Sequence, residues 1–355
     1  MSVPSQWPTT LPTPIAFVGE APSTEELEHG KPFVGPSGRI LNALFRTASL
    51  DRDDYFITNV FDEKPPDNKI KAWCAPLKEA RANGWTDLPP IGANGFLRPE
   101  HRGHLDRLKS ELERAQPNVI VPLGGTALWA FSGKTNITAM RGTAFPAKLL
   151  VPGTKIVPTY HPSFLMKKWG LYSVAVRDLQ FAKLEADKGK ELAYAERSLI
   201  LEPTLADIRD AMPHCAGSDL LSVDIETGWG QITCIGFAWD QYHAICIPFV
   251  DQRQPNKSYW QSPQDEARAW RLVGEILASP APKLGQNFAG YDFMWLLWRY
   301  RLACTNLLHD TRLLSHAIYP ELPKSLAFLA TSYSTQGSWK WWAKDKGDKR
   351  DDYER

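Results

Sequence analysis

Two separate groups of polar residues have the types and spacing of catalytic sites. In the first, Glu20 follows a short apolar run, and His161 follows another run far downstream. The second opens with Asp224 and Glu226, at alternate positions of an apolar strand. A carboxylate can orient water while an imidazole donates a hydrogen bond to a charged leaving group. Two carboxylates on one face of a strand can share a divalent metal ion. The chain is therefore predicted to carry two active sites.

The length and composition of the chain fit two globular domains. It has 355 residues, more than the roughly 100 to 200 of a typical domain, and its 43% hydrophobic content with 14 tryptophans suffices for two cores. No charge-poor apolar run reaches the roughly 18 residues of a membrane span. The polar residues 1–14 lack the apolar core of a signal peptide. We therefore expect a monomer without membrane contact in the cytoplasm, which is the host cytoplasm if a phage encodes the chain.

The charge and the cysteine content limit the possible partners. A net charge of +1 gives no global attraction for a polyanion, so any binding of nucleic acid has to be local. Lys167 and Lys168 are candidates for such a contact. Five scattered cysteines without a CxxC pair indicate reduced thiols rather than disulfides or a zinc site.

The first half of the chain alternates short apolar strands with helices. This order predicts an α/β fold, with a mostly parallel sheet covered on both faces. Ligands of such sheets bind beyond the carboxyl ends of the strands, where Glu20, Asn59 and His161 all fall. The pair Gly124-Gly125 predicts a tight turn without a ligand, and the prolines between residues 61 and 96 predict a long irregular loop. The predicted strands cover residues 15–18, 55–60, 119–123 and 155–158, and the helices 38–48 and 104–115.

The second half begins with a different order of elements. A charged, alanine-rich helix at 178–197 is predicted to end the first domain, with a junction at 199–203. We place the two domains at residues 1–197 and 198–355. An antiparallel meander is predicted for strands 220–225, 232–239 and 243–248, followed by helices 266–277, 291–300 and 311–317.

Four motifs in order resemble one known family. They are GEAPSTEELEHGKPFVGPSGRILNALF (19–45), YFITNV (55–60), VIVPLGGTAL (119–128) and TYHPSFL (159–165). Together they resemble the uracil-DNA glycosylase superfamily, in particular its family 4 branch, over about residues 14–185. The resemblance implies a three-layer α/β/α domain that hydrolyses the N-glycosidic bond of uracil in DNA.

The resemblance and the chemistry assign the same roles to three residues. His161 is expected to hydrogen-bond the uracil carbonyl as charge builds on the leaving base. Glu20 is the only carboxylate in its turn and is expected to orient the attacking water. The amide of Asn59 offers one donor and one acceptor, which match O4 and N3–H of uracil and mismatch cytosine.

The remaining predicted contacts hold the flipped nucleotide. Phe33 is expected to stack on the base, and Gly35 and Ser37 lie where the backbone can approach a phosphate at a helix start. Ser163 is also assigned to substrate binding. Leu165 corresponds to the wedge that replaces the extruded base in related glycosylases.

Two features depart from the family 4 pattern. The family holds an iron-sulfur cluster with four cysteines, whereas this domain has only Cys74, so no cluster is expected. In addition, Ser23 replaces the glycine that normally ends the first motif.

The second group of acids resembles the DEDD 3'-5' exonucleases fused to family A DNA polymerases of phages. The residues that match are Asp224, Glu226 and Asp292, and the segment 309–330 looks like the one that follows them. The resemblance implies an RNase H-like mixed sheet and two Mg²⁺ or Mn²⁺ ions. Asp310 is instead expected to cap the helix that begins at Thr311.

The third exonuclease motif and the polymerase segments are missing from the sequence. We therefore expect either an N-terminal part of a longer polymerase or a natural remnant, with weak nuclease activity in both cases. The expected partners are DNA and, in a longer parent chain, a polymerase domain or other replication proteins. The leading hypothesis is a uracil-DNA glycosylase fused to a proofreading exonuclease region. The alternatives are a non-catalytic DNA-binding or uracil-scanning module, and a nuclease whose first domain is only a scaffold.

Overall fold

The structure, a computed structural model, describes residues 1–193 and 195–334. These residues divide into two compact units. The first unit comprises residues 1–193 together with 327–334, and the second comprises residues 195–326. Within these ranges, none of the helices has the length and apolar character that crossing a membrane requires.

The first unit is built on a sheet of five strands in the order β2-β1-β5-β7-β6. All neighbours in it are parallel except β6, which runs antiparallel to β7. The strands are β1 (Ile15–Gly19), β2 (Phe56–Asn59), β3 (Cys74–Ala75), β4 (Phe96–Leu97), β5 (Val119–Pro122), β6 (Phe145–Pro146) and β7 (Lys155–Ile156). The helices are α1 (Thr24–His29), α2 (Pro36–Thr47), α3 (Leu77–Ala82), α4 (Gly103–Ala115), α5 (Gly125–Ser132), α6 (Ile137–Met140), α7 (Pro162–Leu165) and α8 (Tyr172–Asp187).

Helices cover both faces of this sheet. Every residue of β1 and β5 is buried, as expected for apolar parallel strands packed on both sides. On one face, Ala16 and Ile120 share a core with Leu108 of α4. On the other face, the ring of Phe17 packs 4.7 Å from that of Phe45 in α2. The prediction of a three-layer α/β/α domain is confirmed.

The segment between residues 61 and 96 is more ordered than the sequence predicted. It contains α3, the antiparallel pair β3–β4 and short 3-10 helices. Phe61, Ile70 and Trp73 are buried in the core of the first unit. The prolines favour turns, and the buried apolar side chains pack these turns against the core. The prediction of a long irregular loop is therefore wrong here.

The second unit contains a mixed sheet in the order β13-β12-β9-β10-β11-β8. Its elements are β8 (Ser198–Ile200), α9 (Leu205–Ala216), β9 (Leu221–Gly228), β10 (Gln231–Ala238), β11 (His243–Pro248), α10 (Pro263–Leu277), β12 (Lys283–Gly285), α11 (Asp292–Met294), β13 (Leu307–Asp310) and α12 (Thr311–Ile318). A π-helix, Trp295–Arg299, continues α11, so the regular helix predicted at 291–300 is wrong in its second half. The last helix, α13 (Leu326–Tyr333), follows α12, and residues 327–334 group with the first unit.

The strand directions confirm the predicted meander and the RNase H-like sheet. Strand β10 is antiparallel to both β9 and β11, and β12 and β13 extend the sheet in parallel beyond β9. Along β9, buried residues alternate with less buried ones as far as Glu226. One face of the strand thus packs on α9 and α10, while Asp224 and Glu226 project from the other face.

Candidate active site

The ends of the first unit's central strands bring the predicted catalytic segments together. Gly19 pairs with Asn59 across β1 and β2, and Glu20 follows directly. The backbone N–H of Phe61 donates to the carbonyl of Glu20 over 3.0 Å, which extends this pairing into the turn. After β5 and β7, Leu123 and Thr159 form a parallel bridge two residues before His161. Three stretches distant in sequence therefore meet at one edge of the sheet, as the strand order predicted.

Gly19 is the point against which two predicted base contacts pack. A Cβ atom at this position would lie 2.3 Å from Oδ1 of Asn59 and 2.4 Å from Cζ of Phe33. Both side chains therefore rest on the Cα atom of the glycine, and no other residue type fits there without moving them. The amide that is predicted to read the base and the ring that is predicted to stack on it are therefore neighbours.

Glu20 is a half-buried carboxylate that accepts a hydrogen bond from a side chain of α5. Its Oε2 accepts a hydrogen bond of 2.5 Å from the hydroxyl of Thr126 in the first turn of α5. Burial raises the pKa of Glu20, and the hydrogen bond from Thr126 opposes that rise. A carboxylate with a raised pKa is a stronger base than an exposed one, which suits a group that orients water.

His161 is held in one neutral form. The backbone N–H of Ser163 donates to Nδ1 of His161 over 3.1 Å, so Nδ1 is an acceptor and the proton lies on Nε2. Desolvation lowers the pKa of His161 to about 4, which keeps the ring uncharged at neutral pH. Gly124 allows this arrangement, because its φ is 90° and a Cβ there would lie 2.9 Å from Cβ of His161. The ring therefore presents a single N–H donor.

Phe33 is fixed in an unusual backbone conformation beside this histidine. Its φ of 54° is left-handed, and its ring lies 6.0 Å from the ring of His161. The carboxylate of Glu26 accepts the N–H of Phe33, and Arg52 donates to the carbonyl of Phe33 over 3.2 Å. Two charged side chains thus hold the aromatic residue from both sides, which compensates for the strain of its backbone.

The glycine-rich segment after Phe33 begins α2 as predicted. Gly35 is the N-cap residue, Pro36 is the first helical residue, and Ser37 is half-buried in the first turn. Gly38 is required because a Cβ there would lie 1.9 Å from the carbonyl oxygen of Phe33. The first N–H groups of a helix have no partner within it, so the phosphate contact at Gly35 and Ser37 stays a prediction.

Two residues after His161 make contacts that the sequence did not predict. The hydroxyl of Ser163 lies 2.8 Å from Nδ1 of His161, so in this structure Ser163 orients the histidine. The side chain of Leu165 is fully buried and cannot enter a DNA duplex from this position, so its prediction as the wedge is wrong. The reason is that α7 packs its inward face on α2, which leaves Phe164 and Met166 as the exposed apolar neighbours.

Four further residues support the site and were missed from the sequence. Thr126 donates a hydrogen bond to Glu20. Glu26 and Arg52 hold the backbone of Phe33. Nη2 of Arg107 donates to the backbone carbonyl of Asn59 over 2.7 Å. The Gly124-Gly125 pair, predicted as a turn without a ligand, instead starts α5 and positions Thr126. The sequence signal that favours this is the apolar run after the glycines, which is long enough for a helix.

A buried ion pair supports the strand that leads to His161. The guanidinium of Arg141 binds the carboxylate of Asp178 through two nitrogens, and both side chains are almost inaccessible to solvent. The hydroxyl of Thr159 donates to the same carboxylate over 2.7 Å. This network fixes the residue two positions before the catalytic imidazole.

The residues of the first unit do not fit the iron-sulfur cluster that the family 4 resemblance implies. Such a cluster needs about four thiolates, and the first unit as described contains one cysteine, Cys74. Its thiol donates to the carbonyl of Ile70 over 3.4 Å, and burial raises its pKa to about 11. A buried, protonated thiol is a packing group, so no chemistry is assigned to a cluster.

The predicted metal ligands of the second unit lie near one another without forming a metal site. Oδ1 of Asp292 accepts the backbone N–H of Ile225 over 2.9 Å, whereas Asp224 and Glu226 are exposed. Burial raises the pKa of Asp292 to about 6, and the charges of Asp224 and Glu226 add to the effect. Among residues 1–193 and 195–334, no three His, Cys, Asp or Glu side chains are grouped so that they could hold a metal ion. The three acids thus do not fit a metal in this arrangement.

Asp310 has the structural role that the sequence predicted. Its Oδ1 accepts the N–H groups of Arg312 and Leu313, as an N-cap of α12 does. The same carboxylate accepts the N–H groups of Asn287 and Ala289. The cap therefore also fixes the loop that leads to Asp292.

Residues 9–185 match the uracil DNA glycosylase superfamily. The Type-4 uracil-DNA glycosylase of Thermotoga maritima is 34% identical over 177 residues, which are 49% of this chain and 78% of the relative. The chain belongs to the uracil DNA glycosylase superfamily. Its first unit is a DNA glycosylase domain, in which Glu20, Asn59 and His161 lie at the same edge of the sheet.

This superfamily member has two further similarities, each over a smaller part of the relative. A DNA polymerase of Bacillus phage SP01 is 23% identical over 220 residues, which are 60% of this chain and 21% of the polymerase. The solved structure of Escherichia coli RNase D, an exoribonuclease involved in structured RNA processing, is 15% identical with a TM-score of 0.28. That match covers 39% of this chain and 34% of RNase D. The chain thus spans about a fifth of the polymerase and a third of the nuclease.

Proposed function

We propose that this chain hydrolyses the N-glycosidic bond between uracil and deoxyribose in DNA. The observation that carries the proposal is the neutral His161, which presents Nε2–H beside Phe33 at the strand ends that also place Glu20 and Asn59. These groups supply a hydrogen-bond donor, a stacking surface, a base reader and a water-orienting carboxylate. Excision of a base needs all four.

In the proposed reaction, uracil leaves as an anion while water attacks the anomeric carbon. Glu20 orients that water and carries its proton, and the new C–O bond replaces the C–N bond to the base. His161 donates Nε2–H to a uracil carbonyl, where negative charge develops. A neutral donor suits this task because it stabilises the anion without first requiring a buried cation.

Asn59 and Phe33 give the proposed site its selectivity. The amide of Asn59 pairs with O4 and N3–H of uracil, and cytosine has the opposite donor and acceptor at these positions. Arg107 donates a hydrogen bond to the backbone carbonyl of Asn59, and the side chain of Asn59 packs on Gly19. Phe33 and Asn59 are themselves buried, with 2% and 4% of their surface exposed, so a flipped or unpaired base can reach them only if the groups that cover them move.

The raised pKa of Glu20 predicts how excision depends on pH. If ionised Glu20 orients the water, the single-turnover rate should fall as pH decreases through this raised pKa, since the carboxyl group is then protonated. His161, with its pKa of about 4, adds no inflection above about pH 5. The profile should therefore show one ascending limb and a plateau, measured on an oligonucleotide with one deoxyuridine.

Two variants test the assignment of that inflection. Thr126→Val removes the hydrogen bond that lowers the pKa of Glu20, so the inflection should move to higher pH while the plateau remains measurable. Glu20→Gln should give a low rate without the inflection. An unchanged profile in Glu20→Gln would contradict the role of Glu20.

For the second unit, we propose that it corresponds to the exonuclease region of a phage-type DNA polymerase. The sheet order and the proximity of Asp224, Glu226 and Asp292 support this proposal. Acids of these types hold the Mg²⁺ or Mn²⁺ ions of such nucleases, but their arrangement in this structure does not fit a metal, so the proposal concerns the origin of this unit and not a nuclease activity. The two units would then act on the same DNA during replication or repair, with a polymerase domain or other replication proteins as partners.

A further inference from the structure

One surface of the first unit combines exposed aromatic rings with lysines next to the catalytic histidine. We call it the aromatic-lysine surface, and it consists of Phe164, Met166, Lys167, Lys168, Trp169 and Tyr172. Phe164, Met166 and Trp169 expose 39%, 51% and 60% of their surface. The excision chemistry described above uses none of these six residues, although the surface begins three positions after His161.

The rings of this surface are held in defined positions. Trp169 stacks on Tyr172 with centroids 4.6 Å apart and planes 23° from parallel. The hydroxyl of Tyr172 lies 2.9 Å from that of Thr47 at the end of α2, which ties the pair to the core helices. Phe164 stacks on Tyr160 at 5.2 Å. The indole of Trp169 is therefore supported from behind, with much of its surface left in solvent.

The charge around these rings favours a polyanion. Lys167 and Lys168 are both exposed. From Arg114 to Arg177 the sequence contains eight basic residues and no Asp or Glu. Two of the eight, Arg141 and Lys155, are buried and paired with acids from α8. The two exposed lysines thus stand directly before Trp169, in a chain whose net charge is only +1.

We propose that the aromatic-lysine surface binds single-stranded DNA, with a base stacked on Trp169 and phosphates on Lys167 and Lys168. A base can stack on an exposed indole only if one of its faces is free, and in duplex DNA the neighbouring base pairs occupy both faces. A docked protein would not need two exposed lysines beside the stacked rings. The inference rests on the proposed function, because it names single-stranded DNA as the preferred substrate class of the excision site.

The test measures binding of a labelled thymidine oligonucleotide, single-stranded or paired with its complement, to the full chain in EDTA. Trp169→Ala should weaken single-strand binding about 5- to 150-fold, the loss expected for one stacked base, and change duplex binding less than about twofold. Trp169→Phe should restore most of the single-strand affinity. The control Trp298→Ala removes a tryptophan of the second unit that is 67% exposed, and it should leave the single-strand affinity unchanged.

Salt dependence provides the second measurement. Replacing Lys167 and Lys168 together by alanine should reduce the slope of log affinity against log salt for the single strand by about 1.4, since each phosphate contact contributes about 0.7. Equal losses on single strand and duplex in Trp169→Ala would overturn the proposal. So would binding that is insensitive to Trp169 and to salt, which is the result expected of a protein-docking surface.

The oligonucleotide contains no uracil, so the two proposals can fail separately. A chain that excises uracil but binds single strands equally well without Trp169 would refute only the role of this surface. A chain that binds through Trp169 but excises nothing would refute only the glycosylase function.

Discussion

Replacing His161 with alanine is expected to reduce uracil excision about 10²- to 10³-fold, the usual loss when one preorganised donor to a developing anion is removed. The neutral ring presents Nε2–H because Nδ1 accepts the N–H of Ser163. Water that fills the space left by the side chain is not oriented in advance, so it stabilises the departing base less well. Single-turnover excision from a deoxyuridine oligonucleotide measures the effect.

The matched control for this variant is His29→Ala. His29 is an exposed histidine at the end of α1 whose Nδ1 lies 2.7 Å from the backbone carbonyl of Glu25 in its own helix, so its loss should leave excision within about twofold. DNA binding of the His161 variant should stay near that of the parent, since the donor acts mainly on the leaving base. Excision at the parental rate in His161→Ala would contradict the mechanism.

Gly19→Ala is expected to reduce excision by at least about 10²-fold, although it adds only one methyl group. That methyl group would lie 2.3 Å from Oδ1 of Asn59 and 2.4 Å from the ring of Phe33, so both base contacts have to move. Displacements of about 1 Å in positioning groups cost rates of this order. Excision assays and thermal melting of the same preparations separate lost geometry from lost folding.

Gly103→Ala is the matched control for this glycine. An added Cβ there meets no atom within 4 Å, and Gly103 is the first residue of α4, where alanine is well tolerated. Its excision rate should match that of the parent. If Gly19→Ala kept full activity, the packing of Asn59 and Phe33 on Gly19 would not define the productive site.

The positions of Glu20, Asn59 and His161 could be predicted because they depend on strand order. Continuous apolar runs identify buried parallel strands, and the carboxyl ends of such strands meet at one edge of the sheet. The alternation in β9 likewise placed Asp224 and Glu226 on one face. These patterns are local in the sequence and need no knowledge of packing.

Other features depend on long-range packing and could not be predicted. Thr126 meets Glu20 across 106 positions, and no local pattern specifies that pair. The burial of Leu165 follows from how the four-residue helix α7 packs on α2, since such a helix has too few residues to show an apolar face. Helix α9 could have been found from its capping box, in which Thr204 and Asp207 bind each other's backbone N–H.

The most direct test of the central claim is excision from an end-labelled oligonucleotide with a single deoxyuridine, incubated in EDTA and then treated with alkali. EDTA silences any metal-dependent cleavage by the second unit, so a break reports only the first unit. We expect one discrete break at the uracil and none in the matched thymidine oligonucleotide. An intact deoxyuridine oligonucleotide that the chain nevertheless binds would contradict it and identify a DNA-binding module without glycosylase chemistry.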